Sequence, residues 1–264
     1  MATDTAGELV HFRVDGGIGT ITLDSPRNRN ALSAQLRREL AGHLEAALAD
    51  PDVRVIVLDH TGPVFCAGMD LKEASGADAG GQGVNEFPAI LSQLWTSAKP
   101  VVAKLAGPAR AGGVGIVAAC DIAVAARTAT FAFTEVRIGV VPAVISVTVL
   151  PRLLPRAAHE LFLTGETFDA DRAVAIGLLN SSVVAEDLDA EVARYTGMLT
   201  MGGPNALAAT KSMLREPRPT DLDVAFADML GLSASFFANA RMPSWPSALA
   251  KKRPPAWVPK EGGA

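Results

Sequence analysis

The sequence contains little cysteine and little histidine, which limits the nucleophilic chemistry available to it. Its 264 residues include two cysteines, Cys66 and Cys120, and four histidines. The two thiols could pair, but their apolar neighbours and a reducing compartment favour free cysteines. A catalytic thiol needs a base beside it, and no histidine lies in the two glycine-containing segments described below. We therefore expect neither a disulfide nor cysteine catalysis.

The sequence also lacks a long apolar run and an excess of charge of one sign. No stretch approaches the roughly 18 apolar residues of a membrane span, and the first residues, MATDTAGELVHF, show no basic region followed by an apolar core. The 24 basic and 28 acidic residues give a formal charge of −4, so nothing global favours nucleic acid or an anionic membrane. We expect a cytoplasmic protein with neither of these partners.

The first sixty residues alternate between strand and helix patterns. Residues 9–14 and 18–24 are predicted strands joined by an Asp-Gly-Gly hairpin signal at residues 15–17. Ser33 is a suitable N-cap for a helix that carries leucine at every fourth position and ends near residue 50. A buried-strand pattern follows at residues 53–59. This order predicts an α/β protein with parallel crossovers.

Two glycine-containing segments each follow a buried-strand pattern. Residues 107–121, GPARAGGVGIVAACD, follow a strand at 101–106, and residues 62–73, GPVFCAGMDLKE, follow the strand at 53–59. The pattern of each predicts a strand, a tight turn and a helix start, where the first amides lack partners within the helix. Two such turns could direct two N–H groups at one oxygen, as an oxyanion hole requires. The alternative is that the glycines only allow close packing.

Several motifs carry a resemblance to a known family. FCAGMDLKE, KPVVAKLAGPARAGG and ACDIAVA, with PRNRNAL before them and KKRPPAW after them, resemble the enoyl-CoA hydratase/isomerase, or crotonase, superfamily in order and spacing. The resemblance implies a crotonase-like α/β spiral of β-β-α units with a C-terminal helical trimerisation region. It implies a core domain at residues 1–200 and a helical region at residues 201–264.

The resemblance implies three catalytic residues. The two oxyanion-hole amides of the family match Met69 and Gly112, and Glu135 matches one of the two hydratase glutamates and the single glutamate of many isomerases. The local sequence around Glu135, TFAFTEVRIGVVP, places a lone carboxylate among apolar residues, where burial would raise its pKa toward that of a useful base. The alternative is a surface pair with Arg137.

The sequence departs from the family where the second hydratase glutamate is expected. That position is Gly115, and no carboxylate replaces it nearby. Glycine there could also mark a φ that only glycine tolerates. The following glycine-rich segment of the family reads PAVISVT at residues 142–148, which predicts a bulkier helix start and a narrower or reshaped acyl pocket. Hydration is therefore in doubt, and a one-base reaction is favoured.

The resemblance also implies a binding site for the substrate, a coenzyme A thioester, with no permanent cofactor and no metal. The implied substrate-binding and CoA-binding residues are Arg27, Ala67, Asp70, Leu71, Arg110 and Lys252. Arg27 and either Lys252 or Arg253 would meet the 3′,5′-ADP end, although the KKR run could instead be a solvated charge run. Arg110 could meet an acyl carboxylate or form a salt bridge.

The C-terminal pattern predicts helices at residues 205–215 and 221–238, with more apolar surface than one small body can bury. The family packs this region between subunits, which implies a trimer or a dimer of trimers. We expect an acyl-CoA enzyme of the hydratase/isomerase type that uses a single glutamate. The alternatives are another enolate reaction, such as hydrolysis or decarboxylation, or a catalytically idle acyl-CoA-binding subunit.

Overall fold

The computed structural model describes residues 7–70, 73, 82–215, 222–239 and 257–259. The predicted binding residues Leu71, Lys252 and Arg253 therefore lie outside the described residues. The run SGADAGGQG at residues 75–83 has no periodicity, which predicts a loop, and most of it also lies outside them. Its last two residues, Gln82 and Gly83, belong instead to a helix.

The N-terminal hairpin and the first helix confirm the sequence prediction. Strands β1, Val10–Asp15, and β2, Ile18–Leu23, pair antiparallel. Gly16 and Gly17 join them at φ of 54° and 82°, which is the positive-φ pair that a tight two-residue hairpin needs. Helix α1, Ala34–Ala49, begins where the Ser33 hydroxyl accepts a hydrogen bond from the Leu36 N–H.

One six-stranded sheet forms the body of the protein, and a small sheet lies beside it. The main sheet has the order β1-β2-β3-β4-β6-β9, parallel from β2 onward. The remaining strands are β3 Val55–His60, β4 Val101–Leu105, β5 Ala109–Arg110, β6 Ile122–Ala126, β7 Thr130–Ala132, β8 Phe168–Asp169 and β9 Ser181–Val183. Strands β5, β7 and β8 form the second sheet. The β5 and β8 strands were not predicted, because two residues show no periodicity.

Helices alternate with strands along the chain, and the β-β-α order recurs, which confirms the α/β fold class. They are α2 Gln82–Thr96, α3 Gly112–Ala119, α4 Ala143–Val149, α5 Pro155–Thr164, α6 Ala170–Ala175, α7 Leu188–Met201, α8 Pro204–Arg215 and α9 Leu222–Asn239. Short 3-10 helices span Pro26–Asn28, Thr134–Ile138 and Ala185–Asp187. The apolar stripe of α1 is buried in the main core at Leu36, Leu40 and Leu44.

The two cysteines are free and buried, as the sequence analysis expected. Burial raises the pKa of Cys66 and of Cys120 to about 12, so neither thiol is a thiolate near neutral pH. This state agrees with the expectation that cysteine is not the nucleophile.

The C-terminal helical region is present, and α8 docks on the body of its own chain. The buried Lys211 ammonium donates to the carbonyls of Leu94 and Lys99 and to the Asp121 carboxylate, the last at 2.6 Å. A buried cation is tolerated only when it is paired and hydrogen-bonded in this way. Helix α9 exposes large apolar side chains, including Phe226. The domain boundary near residue 200 stays a prediction.

None of the helices within the described ranges is both long enough and apolar enough to span a membrane.

Candidate active site

The structure brings the two glycine-containing turns into direct backbone contact. Cys66 and Ala109 form a parallel bridge, and the Arg110 N–H donates to the Cys66 carbonyl at 2.9 Å. A Cβ at Gly68 would lie only 3.1 Å from the Ala111 Cβ and 3.5 Å from the Gly112 nitrogen. The glycines therefore fit both interpretations of the sequence, close packing and an oxyanion hole, because their close packing brings the two turns together.

In the first turn, a hydrogen bond to the carbonyl of the Gly68–Met69 peptide fixes that peptide, and the N–H of Met69 points outward. Gly68 has a φ of 89°, and its carbonyl accepts a hydrogen bond from the Leu32 N–H at 2.8 Å. In a trans peptide the carbonyl and the following N–H point in opposite directions. The Met69 N–H therefore points away from Leu32, and it donates to no acceptor among the described residues.

The second turn holds its peptide in the same way. The Ala111 carbonyl accepts hydrogen bonds from the N–H groups of Val114 and Gly115 at 2.9 and 3.2 Å, so the Gly112 N–H points away from helix α3. Like that of Met69, this N–H has no acceptor within the described part of the chain. Two unpaired amides, each fixed through its own carbonyl, are the elements of an oxyanion hole.

Sequence reasoning missed the role of Ala111 in this geometry. Its φ and ψ are 47° and −116°, a region that residues with a Cβ rarely adopt and that costs on the order of 1–3 kcal/mol. Its own N–H donates to the Ala132 carbonyl at 3.0 Å, so hydrogen bonds fix the residue on both sides. No sequence signal marks it, because alanine beside two glycines looks like part of an ordinary turn.

Glu135 is connected to the Gly112 turn through the pairing of strand β7 with β5. The Ala111–Ala132 hydrogen bond extends that pairing, and Glu135 follows three residues later in the 3-10 helix. Its Oε2 is buried and has no hydrogen-bond partner among the described residues. Burial raises the pKa of Glu135, opposed only by its own backbone N–H. An unsatisfied carboxylate of this kind is suited to take a proton.

The alternative surface pair between Glu135 and Arg137 is wrong. The exposed Arg137 guanidinium donates instead to the Thr164 carbonyl at 3.2 Å, and no ion pair joins it to Glu135. The Glu135 carboxylate is therefore left without a neutralising cation on the 3-10 helix that carries it.

Gly115 is required by packing and not by an unusual φ, since its φ is not in the positive range. A Cβ there would lie 2.6 Å from Ile145 Cγ2 and 3.0 Å from Ile145 Cβ. The buried Thr148 hydroxyl donates to the Gly115 carbonyl at 3.1 Å and so fastens α4 against α3. The bulkier helix start expected at residues 142–148 thus fills the space that a side chain at Gly115 would need.

The predicted binding residues of the first motif are attached to the segment that precedes α1. The Ala67 N–H donates to the Arg29 carbonyl at 3.1 Å, and the Asp70 carboxylate accepts from the Asn28 side chain at 2.7 Å. Arg27 is exposed in the same segment and makes no hydrogen bond or ion pair within the described ranges. An exposed cation with no partner among the described residues therefore lies on the loop that borders the first amide turn.

Asn30 organises this loop, although it was not among the predicted site residues. It is fully buried at a φ of 50°, a conformation that asparagine tolerates better than most residues. Its side chain accepts from the Ser25 N–H and donates to the carbonyls of Thr61 and Val64. These bonds join the PRNRNAL segment to the start of the first amide turn, so Asn30 helps to position Met69.

Arg110 is engaged with its own sheet. Its guanidinium donates to the Ala109 carbonyl and to both the carbonyl and the hydroxyl of Thr130. No salt bridge to it is formed within the described residues, so that alternative is wrong for them. Contact with a carboxylate on an acyl group stays a prediction. The described residues contain no cluster of three or more histidine, cysteine or acidic side chains able to hold a metal ion.

Comparison with known proteins agrees with this architecture. A model of the enoyl-CoA hydratase/isomerase family matches residues 13–260. The chain is 33% identical to the carnitinyl-CoA dehydratase of Citrobacter koseri over 261 residues, which cover 95% of this chain and 98% of the relative. It is 33% identical to the mitochondrial enoyl-CoA hydratase domain-containing protein 3 of Rattus norvegicus, over 83% of this chain and 74% of the relative.

Solved structures show the same fold. The enoyl-CoA hydratase of Mycobacterium smegmatis has a TM-score of 0.86 at 30% identity and covers 94% of this chain and 98% of its own. An enoyl-CoA hydratase from Mycobacterium avium has a TM-score of 0.72 at 41% identity, with coverage of 94% and 98%. The chain therefore belongs to the enoyl-CoA hydratase/isomerase family of the crotonase superfamily.

The raised pKa of Glu135 predicts a gain in stability for Glu135→Gln at pH 7 and little change at pH 4. A folded-state pKa above the ordinary value of 4.5 gives a contribution to stability that is complete below the unfolded pKa. That contribution is lost as pH rises through the folded pKa. Glutamine retains the uncharged form at both pH values. Thermal unfolding of both proteins at pH 4 and pH 7 measures the difference.

The matched control is Glu166→Gln, which changes an exposed carboxylate and should leave the melting temperature almost unaltered at either pH. Equal effects of Glu135→Gln at the two pH values would contradict a buried, unpaired carboxylate at this position.

Proposed function

We propose that this chain is an acyl-CoA thioester enzyme of the enoyl-CoA hydratase/isomerase type, with Met69 and Gly112 as oxyanion-hole donors and Glu135 as the single acid/base. The observation that carries the proposal has two parts. Two N–H groups, each held through its carbonyl, have no acceptor among the described residues. The half-buried Glu135, on the segment paired with the second turn, has a buried Oε2 without a described hydrogen-bond partner. Two comparisons support an acyl-CoA thioester as the substrate. They are the match to the enoyl-CoA hydratase/isomerase family and the similarity to the carnitinyl-CoA dehydratase of Citrobacter koseri.

The proposed chemistry uses the weak acidity of the α-carbon of a thioester. When Glu135 removes the α-proton, negative charge moves to the thioester oxygen, where the N–H groups of Met69 and Gly112 stabilise it. Each donor contributes about 3 kcal/mol in comparable sites, and a positioned base contributes roughly 10²- to 10⁴-fold in rate. Burial raises the pKa of Glu135, which makes its carboxylate a stronger base.

The substrate supplies its own coenzyme A, so the proposal needs no permanent cofactor. We assign binding of the ADP end of coenzyme A to Arg27 and Lys252. Arg27 is exposed and has no hydrogen-bond or ion-pair partner among the described residues. Ala67, Asp70, Leu71 and Arg110 are proposed to border the thioester and acyl group. The half-buried Met69 side chain packs against the core and would form an adaptable apolar wall.

The contact between Gly115 and Ile145 favours a one-base reaction over hydration. Hydration requires a water molecule to be held and deprotonated, whereas a double-bond shift moves a proton between two carbons of one dienolate. The apolar Ile145 side chain occupies the space beside Gly115, which leaves no room there for a second carboxylate. We therefore propose double-bond isomerisation or α-proton exchange as the main activity. A cytoplasmic location stays a prediction.

This assignment predicts that the protein exchanges the α-protons of a short acyl-CoA with deuterium faster than it hydrates crotonyl-CoA. Glu135→Gln should lower the exchange rate by about 10²-fold or more, because the amide retains the size and loses the basicity. Coenzyme A binding should be unchanged. Mass spectrometry of acyl-CoA products, with binding by calorimetry, measures both.

Fast hydration without exchange would contradict the one-base assignment. An unchanged kcat in Glu135→Gln would remove Glu135 from the reaction. Binding without turnover of any enoyl-CoA, or release of free acid or carbon dioxide, would favour one of the two alternatives instead.

The Gly115–Ile145 contact predicts that Gly115→Glu destabilises the protein and that Ile145→Ala partly relieves this effect. The single glutamate must displace the Ile145 Cγ2 atom, and overpacking of this kind costs about 1–3 kcal/mol. Truncating Ile145 removes that atom. Urea unfolding should be measured for the unmodified protein, the two single variants and the double variant. The double variant should lose less free energy of unfolding than the sum of the losses in the two single variants.

Crotonyl-CoA hydration should rise above the background only in the double variant, where a second carboxylate has room beside the α3 helix start. Additive stabilities would mean that Ile145 is not what excludes a side chain at residue 115.

We also propose that the chain forms a trimer or a dimer of trimers. The large exposed apolar side chains support this, including Phe226, Leu230 and Leu214, which are 66%, 69% and 76% exposed. Sedimentation velocity should give three or six times the 27.4 kDa mass of one chain. Phe226→Glu, with Glu166→Gln as the surface control, should shift the distribution toward smaller species. A wild-type chain that sediments as a monomer at micromolar concentration would contradict the proposal.

A further inference from the structure

The two peptides that present the proposed donors are built on different residues. The Gly68–Met69 peptide begins at Gly68, whose φ of 89° carries no steric penalty for glycine. The Ala111–Gly112 peptide begins at Ala111, whose φ of 47° and ψ of −116° are unfavourable for a residue with a Cβ. The strain is therefore confined to one of the two peptides.

We propose that Ala111 is a positioning residue that gives the Ala111–Gly112 peptide two populated orientations, of which a bound acyl oxygen selects the one with the Gly112 N–H outward. This inference rests on the proposed function for its ligand, but the two orientations are a property of the free protein. They can be tested separately.

The second orientation follows from the backbone angles. Rotating this peptide by half a turn takes the ψ of Ala111 to roughly +60°, which is the left-handed helical region that residues with a Cβ can occupy. The rotation relieves the strain at Ala111 and breaks the two hydrogen bonds that Val114 and Gly115 donate to its carbonyl. Relief of this strain offsets part of the cost of leaving the two buried N–H groups without an acceptor, so the rotated peptide remains populated as the minor orientation.

The rotating peptide lies between two glycines, so no side chain of either residue has to move. Gly68, which faces the peptide, has no side chain, and a Cβ there would be 3.5 Å from the Gly112 nitrogen. Gly112 itself also lacks a Cβ, and one placed there would meet Leu32 at 2.9 Å. The Ala111 N–H stays bonded to Ala132 in either orientation, because that hydrogen bond belongs to the preceding peptide.

Two substitutions at residue 111 should shift the equilibrium in opposite directions. Glycine accepts the observed angles without strain, so Ala111→Gly should favour the outward N–H. Asparagine is enriched in the left-handed helical region, so Ala111→Asn should favour the rotated peptide. At a temperature where every variant is folded, kcat/KM for α-proton exchange should rise by no more than about twofold in the glycine variant and fall several-fold in the asparagine variant, because kcat/KM follows the fraction of molecules with the Gly112 N–H outward.

The readout that needs no ligand is nitrogen-15 relaxation dispersion with selectively labelled glycine. The Gly112 amide should show microsecond-to-millisecond exchange in the unmodified protein, and this exchange should be absent in Ala111→Gly. Arg29→Gly is the matched control, because it also relieves a positive φ, of 53°, but on another loop. It should leave the Gly112 exchange unchanged.

The outcomes separate this inference from the proposed function. Gly112 exchange that disappears in Ala111→Gly supports two orientations even if no acyl-CoA is turned over. A Gly112 amide without exchange, together with an unchanged kcat/KM in Ala111→Gly, would overturn the inference while leaving the proposed reaction intact. If Ala111→Gly does not fold, equal kcat/KM and equal Gly112 exchange in Ala111→Asn and the unmodified protein would also overturn it.

Discussion

The site depends on backbone packed directly against backbone. A Cβ at Gly107 would lie 2.1 Å from the Pro63 carbonyl oxygen, and one at Gly113 would lie 2.7 Å from the Cys66 carbonyl oxygen. No side chain can be inserted at either position without moving main chain, which is far less adaptable than the end of a flexible side chain. The distance between the two turns is therefore set by contacts of the main chain itself.

The proposed chemistry follows from how that contact distributes hydrogen bonds. Each proposed donor peptide uses its carbonyl for structure, and the opposite N–H remains for a ligand. The same principle leaves Glu135 with an unsatisfied oxygen while the neighbouring Arg137 bonds elsewhere. Buried polar groups are ordinarily paired, so groups left without described partners on segments that hydrogen bonds join support the proposal of a binding site.

Much of the fold could be predicted from local signals. The hairpin glycines, the Ser33 cap and the leucine repeat of α1 were all confirmed, because each is a short-range physical requirement. The two-residue strands and the torsion angle of Ala111 could not be predicted, since both depend on segments distant in sequence. The role of Gly115 shows the same limit: its absence of a side chain was evident, but the reason, Ile145 on another helix, was not.

The contact between Gly115 and Ile145 also bears on how such a site can change during evolution. Substituting Gly115 first requires a clash with Ile145, whereas shortening Ile145 first leaves only a small void that the core can tolerate at moderate cost. The two positions are thus epistatic, and the order of mutation matters. A lineage that carries Gly115 and Ile145 could acquire a second carboxylate at residue 115 by one further substitution. Selection for stability opposes that substitution as long as Ile145 is present.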